Sequence, residues 1–453
     1  MSKPDRRLFL DTALLPSGWA QNVALDITGG TITAITPDAV PSDGERLCGI
    51  ALPGLPNLHS HTFQRAMTGL SETRGLGDDS FWTWRQVMYA FLRKLSPDDV
   101  EAIAAFAMME MLETGFTALA EFHYLHHAPD GRPYANPAEL AERIAAAAAQ
   151  TGIGLTLLPV LYTHGGFGSL PPGAGQARFL NDIEAFHRLL DASVRAIAPL
   201  EDAVLGQAPH SLRAVAPADL ARLALLPGPT HIHIAEQTRE VDDSLAWSGQ
   251  RPAAWLLDHA PVDPGWTLIH ATHTDPAELA AIARSGATIG LCPITEANLG
   301  DGIFDAPTFR DAGGIYGVGT DSNVEITAPG ELRLLEYGQR LARRARNVMP
   351  ATEGASTGRT LYDAALTGGA QALARRIGRL APGHRADLVI LDRTHPDLAT
   401  ATGDRLLDAY VFSAGPATID TVIVAGRTLV TAGRHHARDT IAARYRKTLA
   451  TLV

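Results

Sequence analysis

The chain has 453 residues, 46% apolar and 19% charged, a balance that excludes a disordered polypeptide and supplies ample material for a large core. A net charge of −11 and a pI near 5.8 exclude an extended phosphate-binding surface, since nucleic-acid affinity rests on clustered Lys and Arg. Two cysteines, Cys48 and Cys292, make no disulfide framework, and Asp11 breaks the one early apolar run, so a cytoplasmic protein without membrane or nucleic-acid partners is expected.

In chain order, residues 8–50 hold short Val/Ile/Thr runs punctuated by Gly, Asp and Pro, such as 22–27 and 31–35, which read as β-strands. The apolar run 50–58 then leads into His59-Ser-His61. Side chains alternate along a strand, so these two imidazoles share a face and converge on one point. From Ser96 a pattern repeats: a capping residue with proline, an Ala/Leu-rich helix, a glycine stop and a short apolar strand. Ser96-Pro-Asp-Asp predicts a helix ending at Gly115 before strand 116–122, and Asn136-Pro-Ala-Glu one ending at Gly152 before 153–160. Asp275-Pro-Ala-Glu does the same, with Gly286 and strand 287–291. Near the end, 387–391 and 421–425 read again as strands.

Alternating helices and buried strands imply right-handed βαβ units around a parallel sheet. A doubly wound sheet and a closed barrel both fit, and the polar residues decide between them. His59/His61, Glu121/His123, His210, His233/Glu236, His270 and Asp321 end at least six different strands, which a (β/α)8 TIM-type barrel gathers at one mouth. The barrel is assigned to residues 52–380, and 1–51 with 381–453 to a small β-sandwich-like domain built from both chain ends.

Three imidazoles and a carboxylate at a barrel mouth suit Zn2+ or a similar divalent ion, with one position left for water. His59, His61, His233 and Asp321 are the natural ligands, although His231 shares the face of His233 by strand parity. His270 and Glu236 are left as titratable groups placed for proton transfer, so hydrolysis is the expected reaction class. Binuclear sites of this kind commonly bridge their metals with a carboxylated lysine. Lys3, Lys94 and Lys447 are the only lysines and none falls on a barrel strand, which favours one ion per chain; Glu121 is the remaining candidate for a bridge.

Pro53-Gly-Leu-Pro-Asn57-Leu-His59-Ser-His61, His231-Ile-His233-Ile-Ala-Glu236, a lone His270 and Thr320-Asp321-Ser322 resemble the amidohydrolase superfamily, in the branch containing cytosine, adenosine and guanine deaminases. Gly383-His-Arg-Ala-Asp387 is similar to the segment where such chains return from barrel to small domain. Within the branch, six stretches are similar to the N-formimino-L-glutamate iminohydrolases: His59–Ala66, Phe81-Trp-Thr-Trp-Arg85, Glu121–His127, Ala208-Pro-His-Ser-Leu-Arg213, His231–Gln237 and Leu291–Gly302. Nucleobase deaminases usually carry Pro-x-Ser-Asn where this chain has Pro293-Ile-Thr-Glu-Ala-Asn298.

The resemblance implies metal-dependent hydrolytic deimination of N-formimino-L-glutamate to N-formyl-L-glutamate and ammonia, a step of histidine degradation, by a homodimer with one Zn2+ per chain. It implies Glu236, His270 and Asp321 as the catalytic set, and a pocket lined by Gln64, Arg85, Tyr124, His210 and Arg213. Arg85 and Arg213 suit a small dicarboxylate, because planar guanidinium forks bind carboxylates bidentately. Trp82, Trp84 and Tyr89 are placed to cover the mouth, or simply to pack. Two other readings are weighed. A purine or pterin deaminase needs an apolar aromatic slot and no paired arginines, and a metal-free scaffold relative would lack the ligands that this chain retains.

Overall fold

Apolar runs closed by a single polar residue become parallel strands buried on both faces. The computed structural model describes residues 5–41, 44–75, 77, 79–223 and 226–452. In it, Leu55–Ser60, Phe116–His123 and Gly154–Leu161 pair in parallel, and Gly154–Leu161 pairs in turn with the short segments Val204–Leu205 and Ala208–Pro209. Thr230–Ile234, Trp266–His270, Thr288–Leu291 and Ile315–Val318 form a second parallel group. Bridges between Gln207 and Thr230 and between Ser60 and Asp321 join the groups at both seams and close the barrel. Its interior is filled by fitted side chains: Leu58 packs so tightly that a Cβ added at Gly290 or Gly317 would lie 2.6 Å from one of its methyls.

The helices start where local chemistry allows. Ser96 caps Pro97–Glu113 in a reciprocal pair with Asp99, and Asp275 caps Pro276–Ser285 with Glu278, each with proline in the first turn. Glu139–Thr151 begins later than the Asn136-Pro signal predicts, because the Asn136 side chain accepts the Ala138 N–H at 3.1 Å and holds a turn there instead.

Strands from both chain ends make one continuous sheet of eight, mostly antiparallel, in the spatial order Arg434–His435, Arg427–Thr431, Ile419–Val424, Leu388–Leu391, Glu45–Pro53, Arg6–Leu15, Gly18–Thr28, Thr31–Thr36. It has a core of its own that includes Leu8, Leu25, Ile32, Leu388 and Ile423. The final helix, Arg438–Leu452, leaves this sheet for the barrel: Tyr445 stacks on Phe106 of Pro97–Glu113 at 4.0 Å. Lys94 follows helix Phe81–Leu92 and donates to the Leu452 carbonyl, and Lys447 lies in the last helix, so neither is on a barrel strand. Lys3, at the start of the expected 1–51 segment, is outside the described residues. Among the described residues no helix is long and apolar enough to cross a membrane.

Candidate active site

The mouth is built from the ends of the barrel strands. His59 lies in the first strand and His61 one residue beyond it, with ring centroids 4.7 Å apart. Asp321 pairs with both through the backbone: its N–H donates to the His59 carbonyl and its carbonyl accepts the His61 N–H, each at 2.9 Å. That approach needs Gly319, where a Cβ would come within 2.6 Å of the His59 nitrogen. Buried side chains brace the seam. Asn57 donates to Thr320 Oγ1 at 2.7 Å, and Asn323 donates to the carbonyls of His61 and Asp321 at 3.1 and 2.9 Å. Ala235, His270, Ala271, Asp321 and Asn323 all hold φ between 43° and 68°, so the backbone is strained at three strand ends.

One donor atom each from His59, His61, His233 and Asp321 falls within 4.8 Å of the others, and all four residues are buried. His61 Nδ1–H donates to the Phe122 carbonyl at 3.0 Å and His233 Nδ1–H to the His210 carbonyl at 3.2 Å, which turns both Nε2 lone pairs inward. His59 is fully buried with no hydrogen-bond partner on either ring nitrogen. Burial pushes His59 down to about 3 and lowers His61 and His233. Burial opposes ionisation of Asp321, but the neighbouring His59, His61 and His270 together hold its carboxyl below the usual range. Neutral imidazoles around an ionised carboxylate are the ligand forms, so the residues fit a divalent ion.

Beside the cluster, His270 Nε2 lies 3.7 Å from Glu236 and 3.8 Å from Asp321 Oδ2, while its Nδ1–H donates to Glu296 at 3.2 Å. Burial works against a charged His270, yet Glu236, Glu296 and Asp321 raise it to about 10; burial also raises the Glu236 carboxyl. Proton-transfer groups thus stand within reach of the cluster.

A cavity opens above and is lined by Gln64, Arg85, Tyr124, His210, Arg213, Glu236, His270 and Asp321. All five expected pocket residues are therefore at this mouth. Gln64 donates to the Tyr124 hydroxyl at 2.8 Å, and Arg85 donates to the Tyr162 hydroxyl at 2.7 Å while stacking 5.3 Å above the Tyr89 ring. The Arg213 side chain is 10% exposed, with Nη2 3.7 Å from Glu236 and Nε 3.6 Å from Glu240. Burial, followed by the charges of Arg213 and Arg85, keeps His210 well below its ordinary range. Trp84 and Tyr89 line the cavity; Trp82 is not among its lining residues and stacks beneath the guanidinium of Arg239 at 4.8 Å.

Two candidates lie elsewhere. His231 Nε2–H donates to the Ala372 carbonyl at 2.9 Å, and Glu121 accepts both the N–H and the hydroxyl of Thr62, at 2.9 and 2.6 Å. His126, His127 and His273 also bond to backbone carbonyls. Glu240 and Glu296 carried no assigned role from the sequence. For Glu296 a signal existed: it lies on the first turn after Cys292-Pro293, where its carboxylate accepts the Cys292 N–H at 2.9 Å and reaches back to His270.

A polar cluster at the C-terminal mouth of a parallel barrel, joined to a sheet from both chain ends, defines a metal-dependent hydrolase scaffold. The chain belongs to the amidohydrolase family, whose model matches residues 50–429. Residues 7–49 match the model of the formimidoylglutamate deiminase HutF N-terminal domain. Formimidoylglutamate deiminase of Pseudomonas aeruginosa is 54% identical over 98% of this chain and 99% of its own length. The 5-methylthioadenosine/S-adenosylhomocysteine deaminase of Natronomonas pharaonis is 29% identical over 84% of this chain and 81% of its own. Among solved structures, an amidohydrolase from Brucella melitensis superposes with a TM-score of 0.95 at 49% identity, covering 99% of this chain and 100% of that one. An adenosine deaminase from Xanthomonas campestris with bound zinc shares the fold, with a TM-score of 0.83 at 21% identity over 100% of this chain and 99% of that one.

Proposed function

We propose that this chain hydrolyses N-formimino-L-glutamate to N-formyl-L-glutamate and ammonia. The observation that carries the reading is the placement of two arginines, Arg85 and Arg213, on the same small cavity as the three histidines and Asp321. The name of the P. aeruginosa relative supports it. His59, His61, His233 and Asp321 would hold one ion per chain, and Zn2+ suits that donor set. When bound, such an ion supplies Lewis acidity that brings the ionisation of water close to neutral pH.

Arg85 and Arg213 grip the two carboxylates as planar forks and so direct the formimino carbon to the cavity floor. Gln64, Tyr124 and His210 line the wall and orient the amidine. His270 orients the attacking water, with Asp321 Oδ2 beside its Nε2, and Glu236 delivers a proton to the departing nitrogen. A C–O bond forms, a C–N bond breaks, and ammonia leaves. A neutral purine or pterin would offer those arginines no partner, which disfavours the deaminase alternative.

The deciding assay measures ammonia release from N-formimino-L-glutamate beside guanine, adenosine and cytosine, with metal counted on the same sample. Faster release from a nucleobase compound would overturn the reading. A cytoplasmic homodimer is also proposed from the family resemblance; sedimentation equilibrium showing a monomer at working concentration would remove the dimer.

A further inference from the structure

Cys292 follows the strand Thr288–Leu291 and is wholly buried behind the cavity wall. Its Sγ, a ring nitrogen of His270 and a carboxylate oxygen of Asp321 lie within 4.8 Å of one another. We propose that these three groups form a second, inhibitory site for a soft divalent cation such as Zn2+ or Cd2+, apart from the His59, His61 and His233 set.

Three observations carry this. First, Asp321 faces two ways: Oδ1 lies 3.5 and 3.3 Å from the Nε2 atoms of His59 and His61, whereas Oδ2 lies 3.8 Å from His270 Nε2. One carboxylate can therefore serve two neighbouring ions with different oxygens. Second, His270 has the arrangement of a ligand. Its Nδ1–H is spent on the Glu296 carboxylate, and its Nε2 is buried without a hydrogen-bond partner. A histidine whose far N–H is held by a carboxylate is fixed in orientation, and an incoming ion takes the place of the proton on its other nitrogen. Third, a sulfur completes the set, and sulfur selects soft and borderline ions over Mg2+ or Ca2+.

The surrounding charge favours a cation. Burial and the nearby carboxylates Asp321, Glu296, Glu331 and Glu236 hold the Cys292 thiol protonated, and the same field attracts a divalent ion. Binding releases the thiol proton and the Nε2 proton of the charged His270 to solvent as the S–metal and N–metal bonds form. Access runs through the substrate cavity, which His270 and Asp321 line. The inhibition rests on the water-orienting role proposed for His270, since an ion on Nε2 removes that role; the binding does not rest on it.

The test uses enzyme carrying one equivalent of metal in a Cys48→Ser background, because Cys48 is the other, exposed thiol. Cadmium is titrated while the ultraviolet thiolate-to-cadmium band and ammonia release are both followed. The first cluster contains no sulfur, so the band reports Cys292 alone. The expected result is a band that grows with the second equivalent in step with loss of turnover. Loss even of an outer partner weakens metal affinity by about 10–100-fold, so Cys292→Ala should weaken the second equivalent by about 100-fold or more and abolish the band. No band in the Cys48→Ser parent, or equal inhibition of the Cys292→Ala protein, overturns the site. A band without loss of turnover keeps the site and overturns its inhibitory effect.

Discussion

Arg213→Gln tests the dicarboxylate pocket most directly. The guanidinium is largely desolvated, with its side chain 10% exposed, and neither Glu236 at 3.7 Å nor Glu240 at 3.6 Å forms a close hydrogen bond with it. Its Nε has no hydrogen-bond partner, so the fork is available to a carboxylate. Losing one side of a desolvated charge-assisted contact costs about 2–5 kcal/mol, so kcat/KM for N-formimino-L-glutamate should fall by about 30-fold or more. Part of the loss should appear in kcat, because the Arg213 charge also helps restrain the Glu236 carboxyl from rising further. The assay is coupled ammonia release, with metal content measured on the same preparation and expected to be unchanged. An analogue lacking the carboxylate that Arg213 holds should be a poor substrate for the wild type and nearly insensitive to the substitution. Normal turnover of N-formimino-L-glutamate by both Arg213→Gln and Arg85→Gln, or faster deamination of a purine by the wild type, would refute the pocket.

Elemental analysis should find one metal equivalent at full activity; His233→Ala and Asp321→Ala should each lose metal, whereas His231→Ala, which loses only its bond to the Ala372 carbonyl, should keep it. Two equivalents retained at full activity, or metal lost from His231→Ala alone, would contradict this. Glu236→Gln and His270→Asn should keep the metal while kcat falls by about 100-fold or more, and near-normal turnover in Glu236→Gln would remove its proton role. Asp387 is raised from 3.8 to about 6 by burial, against the Ala425 N–H and the charges of Arg385 and Arg375. The fold therefore binds this proton more tightly than the unfolded chain does, and stability should fall as pH rises from about 4 to 6, by about 3 kcal/mol. Asp387→Asn should flatten that part of the urea-unfolding profile; an unchanged slope would show that the group does not titrate in this window.

The sequence by itself determined the barrel and most of its mouth, because the signals are local. A strand turns alternate residues to one face, so His59 and His61 must converge, and polar residues closing separate apolar runs mark the strand ends that a parallel barrel collects. Capping residues and glycine stops placed the helices for the same reason, and failed only at Asn136, where an asparagine turn comes first. Parity could not separate His231 from His233, since residues two apart share a face. That was decided by the barrel, which brings the Ala372 carbonyl, 141 residues away, to His231. Tertiary structure alone decided that Glu121 is held by Thr62 and that Glu240 stands behind Arg213. It also decided that the last helix packs on the barrel and that Asp321 shows one oxygen to His59 and His61 and the other to His270. The placing of Asp321 depends on closure of the seam between the first and last barrel strands, which joins residues more than 250 apart and leaves no periodic trace in either segment.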